Sequence, residues 1–205
     1  MSSHQHAEGH LPHEPEKATL EGRNKILGFW LFLGAETALF GTLFSAFLAL
    51  RHNVNDGPTS QHLFELPMIF AATMILLFSS LMSVFAVQAM HRHQVKAMIG
   101  WLLATIVLGL GFLGLEVYEF YHYIHEGLMM PTSAFSSSFY TLVGFHGAHV
   151  AFGVLWIGLL ILQVLKKGLT TVTAPKIYVS AIYWHFIDVV WVFIFTVVYL
   201  MGKVG

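Results

Sequence analysis

Five long apolar stretches leave this chain few choices. They run roughly 26–50, 66–90, 97–121, 139–165 and 177–201. About 20 helical residues cross the ~30 Å hydrocarbon core of a bilayer, so each stretch is long enough to span it. Inside hydrocarbon every backbone polar group must be satisfied within the protein, and a helix does this in one segment. The expected fold is therefore all-α: a polytopic membrane protein built as a bundle of five transmembrane helices. Composition agrees, with 56 % of residues hydrophobic and 10 % charged, where soluble domains carry roughly 25 % charged residues. The connections are short and polar, with turn formers at Asn55-Asp56-Gly57-Pro58, Gly127, Pro131 and Ala174-Pro175. There is no internal repeat of the kind that builds pseudosymmetric transporters.

Lysine and arginine give the chain a direction. Lys17, Arg23 and Lys25 precede the first span, Arg92 and Lys96 follow the second, and Lys166, Lys167 and Lys176 follow the fourth. Those eight of the ten basic residues fall on one side of the membrane, and Arg51 and Lys203 on the other. The positive-inside rule then places the N-terminus inside and the C-terminus outside. Residues 1–25 are polar, carry four histidines in the first 13 positions and contain no apolar core. They read as a flexible His-rich cytoplasmic arm without a cleavable signal, ahead of a membrane domain over 26–205. Net charge is near zero and no basic patch calls for nucleic acid. Cysteine is absent, which removes disulfides, thiolate nucleophiles and iron–sulfur ligation.

Ionisable residues inside a span are costly and mark the places where function is to be sought. Glu36, in FWLFLGAETALF, lies about ten residues into the first apolar stretch, near 15 Å deep. His185 and Asp188, in YWHFIDVVWVFIF, lie eight and eleven residues into the fifth. These three form an expected polar network in the inner half, with His185 and Asp188 close enough to pair on one helix face. A second network is expected in the outer half from Glu116, Glu119 and His122 in GLEVYEFYH, and His146 and His149 in GFHGAHV. Gly144 and Gly147 would let the helices carrying them approach closely.

Glu119-x-x-His122 has the spacing used by carboxylate-bridged di-iron bundles, but such a bundle needs that motif twice. A polar network between helices, a metal site and haem ligation by paired histidines are the competing readings, and the first needs the fewest further residues. GLGFLG at 109–114 matches a GxGxxG pattern, yet no strand precedes it, so close helix packing is the better reading than nucleotide binding. Met129-Met130 and the Ser136–Ser138 run read as loop, with no acid or base beside them for nucleophilic chemistry. The residues alone thus describe a bundle with buried acids and histidines and no catalytic, cofactor-binding or metal-binding set of its own.

The four polar segments, FWLFLGAETALF, GLEVYEFYH, GFHGAHVAFG and YWHFIDVVWVFIF, resemble signature segments of cytochrome c oxidase subunit III. The resemblance runs from Lys25 to Gly205 and is to the short, five-helix bacterial form. It implies a non-catalytic core subunit of a proton-pumping haem–copper terminal oxidase in the bacterial plasma membrane. In that family haem and copper lie on partner subunits, and subunit III packs directly on subunit I, supporting its stability and proton uptake. Subunit II, a small subunit IV and membrane lipid are the further partners implied, with phospholipid a candidate structural ligand. Glu36 falls at the family's buried carboxylate, His146 and His149 at its paired histidines, and His185 and Asp188 at its last-helix pair. Glu116 and Glu119 fall where the family also keeps acids. The seven-helix mitochondrial form builds a lipid cleft from two helices that this chain lacks, which leaves lipid binding open. The closely related quinol oxidase subunit III is the alternative, and an independent proton or ion pathway through Glu36 and Asp188 a more distant one.

Overall fold

The computed structural model describes residues 12–51, 53, 66–125, 130, 131 and 133–204. Most of the His-rich arm, the Asn55–Pro58 turn, Gly127 and Met129 lie outside the described residues. Those described are all-helical, with five helices long and apolar enough to cross a membrane. They are α1 (Leu20–Leu50), α2 (Leu66–His91), α3 (Val95–His125), α4 (Ala134–Lys167) and α5 (Ala174–Ile194). α5 continues through a π-helical segment, Phe195–Leu200, into a last turn, Met201–Val204. Five crossings put the N-terminus, the α2–α3 turn and the α4–α5 connection on one face of the bundle, called here the N-terminal face.

Two helices start earlier than the apolar stretches suggest because their ends are built by polar caps. The Thr19 hydroxyl accepts from the Gly22 amide at 3.0 Å and opens α1 six residues before the apolar run. Ser133 and Ser136 form a reciprocal capping box that opens α4, so Ser136–Ser138 belong to a helix and not to a loop. Between α2 and α3 the chain reverses in three residues. The Gln94 amide donates to the Ala89 carbonyl and that of His93 to Met90, with His93 at φ 57°. That is a Schellman ending in which histidine takes the left-handed position usually given to glycine. The tight reversal lays α2 and α3 side by side along their length.

α5 is the centre of the bundle. It packs against α1, α2 and α4, and 50 % of its apolar window is buried, against 17 % for α1. Two tryptophans on one stripe of α5 anchor it to α2. Trp184 Nε1 donates to Ser79 Oγ at 2.9 Å and Trp191 Nε1 to Thr73 Oγ1 at 3.0 Å. Neither indole N–H is therefore left bare in an apolar core. The Trp184 ring lies between Gly109 of α3 and Gly153 of α4, where an added Cβ would come within 2.7 Å and 2.9 Å of it. Gly109 is thus the one glycine of the GLGFLG run that makes a close approach to another helix. Gly114 has nothing within 4 Å and Gly111 touches only Ile75 at 4.0 Å.

The last part of the N-terminal arm belongs to this fold. Pro15–Lys17 form a 3-10 turn laid against α1 and α5. Glu16, 1 % exposed, receives His91 of α2 at 3.2 Å and 3.3 Å on its two oxygens. His13 stacks over the same imidazole. Beside it, the exposed Lys17 ammonium hydrogen-bonds Glu14 and holds that carboxyl below its ordinary range.

Candidate functional site

The polar side chains within the bundle gather at three places, each between different helices. At the first, Glu36 of α1 meets His149 of α4, with Oε2 and Nε2 at 3.1 Å. The pair is mostly buried, the side chains being 14 % and 19 % exposed. The sequence reading set Glu36 in the inner half and His149 in the outer. Because α1 begins at Leu20 and α4 at Ala134, both lie near mid-helix, sixteen and fifteen residues in. At 1.5 Å per residue that is about 24 Å and 22 Å from opposite ends, so the two levels coincide.

The chemistry of this contact is constrained by the other ring nitrogen. His149 Nδ1 lies 2.7 Å from the Phe145 carbonyl, which can only accept, so Nδ1 carries a hydrogen. A neutral His149 then presents a lone pair at Nε2, and Glu36 must supply the proton between them. In the alternative form the proton is on Nε2 and the contact is an ion pair. Either way one proton is held between an acid on α1 and a base on α4. Phe40 covers the imidazole at 5.1 Å, and the Tyr183 hydroxyl of α5 donates to the His149 carbonyl at 3.0 Å.

The second place is the α2–α5 contact. His185 Nδ1 lies 2.6 Å from Ser80 Oγ, and the Asp188 carboxylate lies beside the same hydroxyl. His185 and Asp188 do share a face, as their spacing requires, but the contact between them passes through a serine of the neighbouring helix. Ser80 has one hydrogen to give. When it goes to Asp188, the His185 Nδ1–H donates to Ser80 in turn, giving a chain from imidazole through hydroxyl to carboxylate. The second Asp188 oxygen has no partner among the described residues.

The third place lies between α3, α4 and the π-helical end of α5. Glu119 Oε1 accepts from the Tyr123 hydroxyl one turn on, and the Tyr199 hydroxyl lies beside this carboxyl. Glu116, one turn earlier, is buried against Gly147 of α4. A Cβ on Gly147 would lie 2.6 Å from either Glu116 oxygen, so an alanine there would push the carboxyl aside. His146 is fully buried, stacked on Trp191 and edge-on to Phe112. His122 lies apart from this core, on the lip of a small cleft with Met68, Ile69, Glu119 and Tyr123.

Sequence reasoning supplied the acids and histidines but not Ser79, Ser80 and Thr73 of α2, of which Ser80 meets His185 and the other two accept from Trp184 and Trp191, nor Tyr123, which donates to Glu119, and Tyr199 beside it. The only available signal for the first three was the run of hydroxyls (Thr73, Ser79, Ser80, Ser83) in an otherwise apolar α2, the kind of residue that joins helices in lipid. His146 is closed in by two aromatic rings, His149 has spent Nδ1 on a carbonyl, and His185 Nδ1 is engaged by Ser80. Among the described residues no group of three or more acidic or histidine side chains could hold a metal ion.

The cytochrome c oxidase subunit III family matches residues 7–203. The chain is 60 % identical to cytochrome c oxidase subunit 3 of Bacillus sp. (strain PS3) over 196 residues, covering 95 % of each chain. It is 61 % identical to the Bacillus subtilis (strain 168) protein of that name over 197 residues, again 95 % of each. Quinol oxidase subunit 3 of Bacillus subtilis (strain 168) is 46 % identical over 205 residues, the whole of both chains. Five apolar helices and bacterial respiratory relatives describe a multi-pass protein of the plasma membrane. A five-helix bundle whose acids and histidines tie helix to helix, matched along almost its whole length, is thus a subunit III of a haem–copper oxidase, and the chain belongs to the cytochrome c oxidase subunit III family.

Proposed function

We propose that this chain is the non-catalytic core subunit III of a proton-pumping cytochrome c oxidase. Haem and copper are held by partner subunits, and the chain packs directly on subunit I, whose stability and proton uptake it supports. The observation that carries the choice of electron donor is the identity of about 60 % to cytochrome c oxidase subunits, against 46 % to a quinol oxidase subunit. Electron transfer to oxygen occurs on other chains in this reading. The role of this one is to present a rigid, lipid-stable bundle with Glu36 and His149 sharing a proton at mid-membrane. Clustering of Arg92, Lys96, Lys166, Lys167 and Lys176 on the N-terminal face supports a cytoplasmic N-terminus.

Purification through a C-terminal tag on this chain tests the assembly. Haem is expected to co-elute, with oxygen uptake driven by reduced cytochrome c; a haem-free homo-oligomer overturns the proposal. Uptake driven by quinol alone moves the chain to the alternative, a quinol oxidase subunit III, which the full-length match to that subunit favours. Because the chain has no cysteine, single Met130→Cys and Lys167→Cys variants report orientation cleanly. A membrane-impermeant maleimide applied to intact cells is expected to label the first and not the second.

A further inference from the structure

The acids of α3 are placed differently from anything the oxidase assignment requires of this chain. Glu116 and Glu119 lie one helical turn apart and are 5 % and 7 % exposed. They are near enough to repel one another electrostatically. Glu119 accepts from the Tyr123 hydroxyl of its own helix, and the Tyr199 hydroxyl of the π-helical segment lies beside it. π-Helical distortions recur at functional sites because they re-aim side chains, and here the distorted segment is the one that carries Tyr199. Glu116 has no hydrogen-bond partner on either oxygen among the described residues, and it rests in the slot left by Gly147. An ionised carboxylate there would bear its full desolvation cost, whereas a protonated one is neutral.

Glu119 also has a way out. It lines the cleft with Met68, Ile69, His122 and Tyr123, which has room for about one water. The residue lies six positions, about 9 Å, before the end of α3, on the side of the bundle opposite the N-terminal face. The titratable groups around the pair are Tyr123 on α3, Tyr140 and His146 on α4, Tyr199 beyond α5, and His122 at the mouth. α2 contributes Met68 and Ile69 to the cleft.

We propose that Glu116 and Glu119 form a proton-holding site, separate from the Glu36–His149 pair and open to water through the cleft beside His122. Water in the cleft delivers a proton to Glu119, whose carboxylate the two tyrosines support. Glu116, with no donor of its own, is the acid that retains one. The bound species is a proton, taken from and returned to the solvent on that face, and no redox or covalent step is involved.

Infrared spectroscopy of the purified oxidase complex tests this, using a Glu36→Gln background so that the mid-membrane acid does not contribute. The protonated-carboxyl C=O absorption of the complex is expected to lose one component in Glu116→Gln. That component is expected to shift on transfer to D2O, and to do so several-fold more slowly in Met68→Trp, which fills the cleft. Gly147→Ala, which crowds the carboxyl without altering charge, is expected to move the same component and gives a second readout should Glu116→Gln fail to assemble. An unchanged protonated-carboxyl spectrum in Glu116→Gln or Gly147→Ala overturns the site. D2O exchange at the wild-type rate in Met68→Trp overturns the access route.

Discussion

Glu36 and Glu116 are both carboxyls on long apolar helices, yet the bundle surrounds them in opposite ways. Glu36 stands on α1, the least buried helix, and is met by a base from another helix whose second nitrogen is already fixed on a carbonyl. Glu116 stands on α3, deeper in protein, and meets a second acid backed by tyrosines. An acid facing a base keeps one proton in one place, because both partners are satisfied by it. An acid facing an acid has no such fixed count, since each added proton removes a charge that burial penalises. The partner's chemistry, more than depth, decides what a buried carboxyl can do.

Substitutions can break that contrast. The largest effect is expected at Glu119→Leu, which leaves the buried Tyr123 and Tyr199 hydroxyls without their acceptor. At about 1–3 kcal/mol for each of the two buried hydroxyls, a loss of roughly 2–6 kcal/mol should appear as a lower thermal midpoint of the purified complex. A smaller cost than at the Glu36 contact would undo the contrast. Next comes His149→Leu, which strands Glu36 with no acceptor for its proton and should cost about 1–3 kcal/mol in the same measurement. Asp188→Leu is expected to cost about 1 kcal/mol, because Ser80 keeps His185 as a partner. The yield of complex containing this chain should fall, and wild-type stoichiometry would count against the Ser80–Asp188 hydrogen bond. Glu36→Gln should do least, under about 1 kcal/mol, since the amide N–H can donate to His149 Nε2 where the acid did. Complex assembly should be intact and oxygen turnover only mildly changed; loss of assembly would show that the proton itself is structural.

The spans were legible because hydropathy records what lies in hydrocarbon, and little else in α1 to α5 competes with that signal. Their ends were not, because Thr19, Ser133 and Ser136 act through hydrogen bonds to backbone, which hydropathy does not register. The same divide runs through the polar sites. Spacing puts His185 and Asp188 on one face, but it says nothing of the serine on α2 that stands between them. Depth counted from the start of an apolar run separated Glu36 from His149, and the polar turns added at each helix start brought them level. Tyr199 could not be anticipated, since a 3.6-residue period places it differently from the π-helical backbone that carries it to Glu119.

The turn at Pro15–Lys17 has a consequence for the order in which the molecule is made. Glu16 closes on His91, and the surface of α1 at Gly22 lies against Pro175, with its ring 3.2 Å from where a Cβ would be. Synthesis runs from the N-terminus, so the strap emerges first while its two seats arrive with the second and fifth helices. Until then Glu16 stays hydrated, at no cost. Once the last helix is in place, the strap can lie down on α5 and exchange water for His91. The first residues built into the fold are thus the last to settle, and their docking marks a chain whose five helices are all present.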